Sequence, residues 1–422
     1  SSGMQASISG SVISNVMTSG SVSIPAMKKT GFSASYAGGI EAVASTGGVL
    51  TPPVMGTTAF IMATFLAVPY VEVAMAAAIP AALFYFGLML QVDAYAARRG
   101  LRGVPRSELP TLLAALKGGW HYLIVFVMLI TMLAQGMNES RAAFYATGLL
   151  LVVNQLRPEN RLSLAGIRDM IAGIGQGLSE IIAVILAIGM IAGGLAATGI
   201  LSTLSTELVF LAGDAPIMLL IMGALTSFVL GMGMTVSACY IFLAIVMVPA
   251  LVKVGFEPIA VHLFVMYWGM LSFITPPVAI ATYAAAAIAK VSAIKIGFHA
   301  MRLASVMYFV PFFFVLNPAL VLQGTPLQIL IAVATAVCGV AAISWSLQGY
   351  MLGFGGISDR VWGFLLRGAL LIAGLSLASP GIAVLGITQL ECAGFGIALM
   401  ILSGLAIRFV PIFQLSHMKP TG

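Results

Sequence analysis

The sequence predicts an all-α, polytopic membrane protein of inverted repeats with two re-entrant hairpins and two broken helices, and three observations predict it. Apolar residues make up 60% of the 422 and charged residues 8%, where a soluble domain carries about a quarter charged residues. The apolar runs are continuous over the roughly 20 residues a helix needs to cross a bilayer, unlike the short alternating segments of a membrane barrel. The third observation is an internal repeat, the first thing to look for in a chain. Ile24-Pro25-Ala26-Met27-Lys28-Lys29-Thr30-Gly31-Phe32 returns as Val248-Pro249-Ala250-Leu251-Val252-Lys253-Val254-Gly255-Phe256, and Leu50-Thr51-Pro52-Pro53-Val54 returns as Ile274-Thr275-Pro276-Pro277-Val278, at one offset of 224 residues.

Taken in order, residues 5–27 form a Ser/Gly-rich segment closed by Lys28-Lys29. A helix over 33–47 stops near Gly47-Gly48 and resumes over 52–68 beyond the prolines. Crossings are expected at 71–92, 119–136 and 142–156, an interfacial helix at 157–177, a crossing at 178–199 and an exposed connection at 202–213. Residues 215–231 and 236–251 read as a re-entrant hairpin, because neither limb is a comfortable full span. The second broken helix covers 257–271 and 276–289, and four crossings follow near 303–322, 328–347, 361–379 and 391–408. In domain terms, 1–68 hold part of a first hairpin and the first broken helix, 69–213 scaffold and connecting helices, 214–290 the second hairpin and broken helix, and 291–422 the C-terminal helices. With segments alternating in this way, 17 of the 19 Lys and Arg residues fall on one side, leaving Arg141 and Lys253 on the other. The positive-inside rule makes the first side, and the C-terminus, cytoplasmic. Lys28-Lys29 and their repeat partner Lys253 then lie on opposite sides, as inverted repeats require.

Backbone amides in hydrocarbon need partners, so an interrupted helix is tolerated where protein or a water-filled cavity covers it. Proline supplies the interruption, having no N–H and clashing with the preceding turn. Thr46, Gly47, Gly48, Thr51 and Pro52 in one copy, and Ser272, Thr275 and Pro276 in the other, therefore gather free carbonyls and hydroxyls at mid-membrane. Such oxygens coordinate coupling ions in secondary transporters, while half-helix N-termini face anionic substrates. The competing reading is a pair of simple proline kinks. Two tips precede the breaks at nearly equal spacing: Ser9, Gly10, Ser11 and Asn15 in the first, Gly231, Gly233, Thr235 and Ser237 in the second. Small residues there suit either an ion-binding tip or close helix packing.

The segments Ser9-Gly10-Ser11, Ile24 to Phe32, Ala44-Ser45-Thr46-Gly47-Gly48 and Pro52-Pro53 resemble the large membrane subunit of the tripartite ATP-independent periplasmic (TRAP) transporters. Glu41 to Gly48, Pro52 to Gly56, Gly231-Met232-Gly233-Met234, Ala260 to Val265, Thr275 to Ala279 and Asn317-Pro318-Ala319-Leu320 resemble its TAXI branch. The resemblance spans residues 5–322. It implies an elevator-type fold of the ion-transporter superfamily, in which hairpins and broken helices slide against a scaffold. It implies sodium-coupled symport of a small organic anion, a carboxylate, across the bacterial inner membrane. A periplasmic solute-binding protein delivers the substrate, and a small membrane subunit, separate or fused upstream, is a partner. By position, one sodium site draws on Ser9 to Asn15 and Thr46 to Thr51, the other on Gly231 to Ser237 and Ser272 to Thr275, with Ser11, Thr46, Thr51, Thr235 and Thr275 as sodium ligands. The family's upstream helices are missing from the sequence, which is expected to be the C-terminal part of a longer protein.

Other functions find no support. The +6 net charge sits between apolar runs, with no basic stripe interleaved with aromatics for nucleic acid. No G-x-x-x-x-G-K-[ST] loop occurs, and Gly173-Ile174-Gly175-Gln176-Gly177 is followed by Leu178 where a dinucleotide fingerprint needs glycine. The four histidines and the three cysteines, Cys239, Cys338 and Cys392, have no metal-ligand spacing, and no nucleophile stands with a base. The chain reads as no enzyme, with no cofactor beyond coupling sodium ions. Glu41, in the first broken helix, is a possible pathway residue, either a proton or sodium-field carboxylate or one in a wet half-helix. His262 reads as a buried histidine with one hydrogen bond, and Glu72, Asp93, Glu180 and Glu391 as solvated. Two rivals remain: a stand-alone carboxylate symporter of the same superfamily, and a truncated, non-transporting membrane fragment.

Overall fold

Apolar runs punctuated by small residues and prolines fold here into helices whose ends are set by local chemistry. The computed structural model describes residues 2–104, 111–156, 161–213, 215–382 and 386–413. Arg106, Arg157 and Lys419 lie outside those residues, and the side chains of Lys117 and Glu180 are likewise outside the description. Nineteen α-helices are described: α1 (Ser2–Ser9), α2 (Val12–Lys29), α3 (Ala34–Gly48), α4 (Gly56–Leu66), α5 (Tyr70–Arg99), α6 (Leu112–Ala134), α7 (Glu139–Leu156), α8 (Leu164–Ala197), α9 (Ile200–Leu211), α10 (Pro216–Gly231), α11 (Val236–Val246), α12 (Val248–Lys253), α13 (Pro258–Leu271), α14 (Ile280–Ala289), α15 (Ala293–Leu303), α16 (Ser305–Leu316), α17 (Pro326–Gln348), α18 (Val361–Ala378) and α19 (Gln389–Phe409). Among the described residues, six helical stretches, counting α15 and α16 as one, are long and apolar enough to cross a bilayer. The chain is an all-α polytopic membrane protein.

Both interrupted helices are found where the repeat placed them. Ser33 caps α3, its hydroxyl accepting from the Tyr36 N–H; Glu257 caps α13 through the Ala260 N–H at 2.8 Å, with Pro258 in the first turn. Each first half ends just ahead of a cis Pro-Pro bond, Pro52-Pro53 or Pro276-Pro277. The second halves, α4 and α14, start after Met55 (φ 56°) and Ala279 (φ 39°), non-glycine residues in the left-handed region at the same offset. Helical hairpins precede both: α1 and α2 turn at Gly10-Ser11, and α10 and α11 turn at Met232–Thr235.

Packing between the halves is exchanged. The second half of the second broken helix, α14, packs on α2 and α3, while α4 packs on α11 and α13. Around this centre lie the largest buried side chains, among them Tyr36, Phe84, Tyr240, Phe264 and Tyr267. Helix α5 runs alongside and holds α16 and α17: a Cβ on Gly87 would fall 2.4 Å from Val306 Cγ2 and 2.9 Å from Val340 Cγ1. The buried Gln91 donates to Leu303 O at 2.9 Å and accepts from Gln348 Nε2 at 3.0 Å. The C-terminus of α17 ends under three guanidiniums: Arg98 donates to Gln348 O, Arg302 to Leu347 O, and Arg367 to both Ser346 O and Leu347 O. Cations there match the helix dipole.

Three expectations from sequence are corrected, and one feature is added. The interfacial helix expected at 157–177 has its first four residues outside the described ones, and from Leu164 the rest is no separate helix but part of one 34-residue helix, α8, with the expected crossing, since Arg168 and Asp169 do not stop a helix and no Gly-Pro break intervenes. The expected connection at 202–213 is instead helical, α9, started by Gly199 in the left-handed region. The crossing near 303–322 begins earlier, with the amphipathic α15, and ends at Leu316, where Asn317-Pro318 starts a 3₁₀ turn. Two antiparallel ribbons were not expected: Tyr350–Met351 (β1) pairs with Gly355–Gly356 (β2), and Gly381–Ile382 (β3) with Ile387–Thr388 (β4).

Candidate functional site

The turn of the first hairpin and the first break are built for contact. Gly10 (φ +62°) and Gly56 (φ +62°) approach so closely that a Cβ on either would lie 2.8 Å from the other's Cα. Any side chain there would hold the turn off α4. Ser7, one turn before the tip, donates to Thr51 O at 2.7 Å, and Tyr70 donates to Pro53 O at 2.5 Å. Two carbonyls of the non-helical break are thus held by hydroxyls, each keeping a second lone pair. Ser9 and Ser11 at the tip are exposed, and Ser11 caps α2 through the Ser14 N–H.

The second hairpin reaches the same place from the other repeat. Ser237 Oγ lies 3.2 Å from both Thr57 Oγ1 and Thr58 Oγ1 in the first turn of α4. Thr235 caps α11, its hydroxyl accepting from the Ala238 N–H. Gly231 fits against the second broken helix, where a Cβ would fall 2.4 Å from Gly269 O and 2.9 Å from Ser272 Oγ. Gly233 (φ +83°) faces open space. Both turns therefore converge on the N-terminus of α4, where Ser9, Ser11, Thr57 and Thr235 are exposed. An N-terminus presents unpaired N–H groups and the positive end of the helix dipole, which suits an anion.

The threonines at the two breaks behave alike. Thr51 donates to Gly47 O and Thr275 to Leu271 O, each at 2.8 Å and at one offset, and Thr275 also meets Tyr308 OH at 2.8 Å. A hydroxyl that gives its proton to a carbonyl keeps its lone pairs for a cation. Thr46 is buried within α3 and donates to Ala42 O at 2.8 Å, and Ser272 donates to Gly269 O at 2.8 Å. Asn15 turns away from the tip into α3, next to Ser45 and Glu41.

Of the residues expected to form the site, Gly10, Ser11, Thr235 and Ser237 meet at the two turns, Thr51, Pro52, Thr275 and Pro276 stand at the breaks, and Asn15 and Thr46 are withdrawn into the helices. Thr57 and Thr58, which join the two repeats, were not singled out from sequence, although Thr58 and Thr282 share the repeat offset. His262 is buried with Tyr240 OH 2.7 Å from Nδ1. Glu72, Asp93 and Glu391 are exposed. No group of three or more metal-ligating His, Cys, Asp or Glu side chains occurs among the described residues.

Residues 1–329 match the profile of a family described as "Tripartite ATP-independent periplasmic transporter, DctM component". Compared with curated protein sequences, the chain finds no significant match.

Proposed function

Because the chain belongs to the family of DctM components of tripartite ATP-independent periplasmic transporters, we infer that it is the permease of a sodium-coupled TRAP system importing a small organic carboxylate. The observation that carries this reading is the meeting of two hairpin turns, one from each repeat, at the exposed first turn of α4. A carboxylate placed there finds the free N–H groups of α4, the hydroxyls of Thr57 and Ser237, and no acidic side chain among the residues named at the tips. Sodium ions at the two Thr-Pro-Pro breaks, on lone pairs of Thr51, Thr275 and neighbouring carbonyls, neutralise the charge and draw each turn closed.

The exchanged packing of α4 and α14 supports an elevator: hairpins and broken helices share one core and can move as a unit, α1–α4 with α10–α14. The remaining helices then form the scaffold. On this reading the protein sits in the bacterial inner membrane with its C-terminus in the cytoplasm, in keeping with the lysine and arginine bias. The segments resembling the TAXI branch support assigning the system to that branch. A periplasmic binding protein delivers the anion and a small membrane subunit covers part of the exposed apolar surface of α6–α9.

Reconstitution tests this. The chain with its small subunit, in liposomes, is assayed with a panel of labelled mono- and dicarboxylates, with and without an inward sodium gradient and the binding protein. Uptake is expected to need both. Uptake undiminished without binding protein would make the chain a stand-alone symporter, and indifference to sodium would remove the coupling.

A further inference from the structure

The repeat gives Glu41 no counterpart; Val265 stands at the equivalent position. Whatever Glu41 does belongs to the first repeat alone, apart from the paired breaks. Its side chain is 2% exposed, and four hydroxyls donate to its carboxylate. Ser2 reaches Oε1 at 2.7 Å and Ser45 at 3.3 Å, Ser19 also donates to Oε1, and Ser23 donates to Oε2. Asn15, 0% exposed, donates from Nδ2 to Ser2 Oγ at 2.9 Å and Ser45 Oγ at 2.8 Å, while its Oδ1 is buried without any donor. Three helices, α1, α2 and α3, thus close around one carboxylate, and Gly20 leaves room for it: a Cβ there would lie 3.1 Å from Glu41 Cγ.

Among the described residues no lysine, arginine or histidine lies within ion-pair distance of this carboxylate. Helices α1 and α14, packed on the nest, carry no charged side chain, and on α14 Tyr283 is exposed. Lys28 and Lys29 close the far end of α2, His299 and Arg302 lie on α15, and Tyr85 on α5 is within electrostatic reach but donates its hydroxyl to Ala44 O. A buried anion without a counter-charge is costly in a membrane and marks a functional group by default. A sodium ion would need a gap between carboxylate and hydroxyls, and here the hydroxyls close directly on the carboxylate. A proton needs none. Each serine hydroxyl can donate or accept, so when the carboxyl takes a proton one hydroxyl turns; Ser19 Oγ also lies 2.9 Å from Asn15 O, a carbonyl that takes its proton instead. Ser19 and Ser23 are half-exposed on α2 and lead from the nest to the surface.

We propose that Glu41 is a proton-binding site of the first repeat: a proton adds to its carboxylate on one side of the membrane and leaves on the other, so that the moving unit crosses with this group neutral. Its use in transport rests on the symporter reading above; its existence does not. The test is infrared difference spectroscopy of the chain with its small subunit in lipid nanodiscs, stepped from mildly acidic to mildly alkaline buffer, with the proton as sole probe. Wild type is expected to show the C=O stretch of a buried protonated carboxyl that vanishes on alkalinisation, is lost in Glu41→Gln and is moved in Glu41→Asp. Ser23→Ala, which removes the donor to Oε2, is expected to change the frequency of that band. Identical carboxyl bands in wild type and Glu41→Gln overturn the proposal, as does an unchanged band in Ser23→Ala if Glu41→Gln does not fold. A Glu41 band without sodium-driven uptake would leave this site standing and remove the transport reading; uptake without the band would do the reverse.

Discussion

Gly10→Ala is the sharpest test of how the first hairpin closes. Gly10 has φ +62° and its missing Cβ would sit 2.8 Å from Gly56 Cα, a backbone atom that cannot rotate aside. An alanine in the left-handed region costs about 1–2 kcal/mol and a methyl forced into a filled gap about 1–3 kcal/mol, so the closed turn loses about 2–5 kcal/mol. Even the lower figure raises the population of the open turn about thirtyfold. Gly56→Ala makes the same demand from the other side of the same gap. Once one methyl has lifted the turn, the second finds the gap already open, and the double variant should fall short of additivity by about 0.5–3 kcal/mol. The assay is maleimide labelling of Val12→Cys in a background lacking Cys239, Cys338 and Cys392. Val12 is 2% exposed, directly behind the turn, so its replacement thiol reacts when the turn lifts. Labelling about thirtyfold faster in each single variant, with little further gain in the double, is expected. An unchanged rate in Gly10→Ala, or full additivity, would refute the reasoning.

Thr51→Val and Thr275→Val each remove a hydroxyl at a break and should raise the sodium concentration that half-activates uptake; unchanged activation in both counts against ion sites there. Ser237→Ala removes the shared partner of Thr57 and Thr58, worth about 0.5–1.5 kcal/mol, so half-saturating substrate should rise about two- to tenfold; measured uptake kinetics decide. Gln91→Leu strands Gln348 Nε2 and Leu303 O in the core and should cost about 1–3 kcal/mol in thermal unfolding. Burial pushes the Glu257 carboxyl above its ordinary value near 4.5, against the N–H groups of Ala260 and Ile259. A carboxyl whose folded-state value is raised adds stability at acid pH and loses it as pH rises through that value. The Tm of wild type should therefore fall more with rising pH than that of Glu257→Gln, by differential scanning fluorimetry.

The parts of the fold legible in sequence are those written in local chemistry. Pro52-Pro53 and Pro276-Pro277 stop helices wherever they stand, and Ser33 and Glu257 start them, so both broken helices were readable. Residues 164–177 and 200–211 misled because Arg168 in the first and Ser202, Thr203, Ser205 and Thr206 in the second do not end a helix; the apolar neighbours on either side decide, and those are tertiary. The two β ribbons depend on glycines at positive φ, such as Gly353 and Gly355, which resemble any loop in sequence. For the site, the tip glycines were legible because small residues mark close approach. Ser237 on Thr57 and Thr58 was not, since it joins residues 179 and 180 positions apart, and no spacing rule reaches across the repeats. The serine nest was hidden differently: Ser19 and Ser23 look like an ordinary polar helix face until Glu41 is placed beside them.

Exchange between the halves also explains why a duplicated break is more useful than one. If each broken helix packed only on its own hairpin, either half could loosen without consequence for the other. Here α4 rests on α11 and α13 while α14 rests on α2 and α3, so displacing one second half disturbs the opposite hairpin. Gly10 against Gly56 and Ser237 against Thr57 place both turns on one helix end. Occupation of that end is therefore felt by both repeats, and loss of it frees both. On the proposed symport, ions must not move without substrate, and contacts between the repeats are then the link, without a separate signalling element.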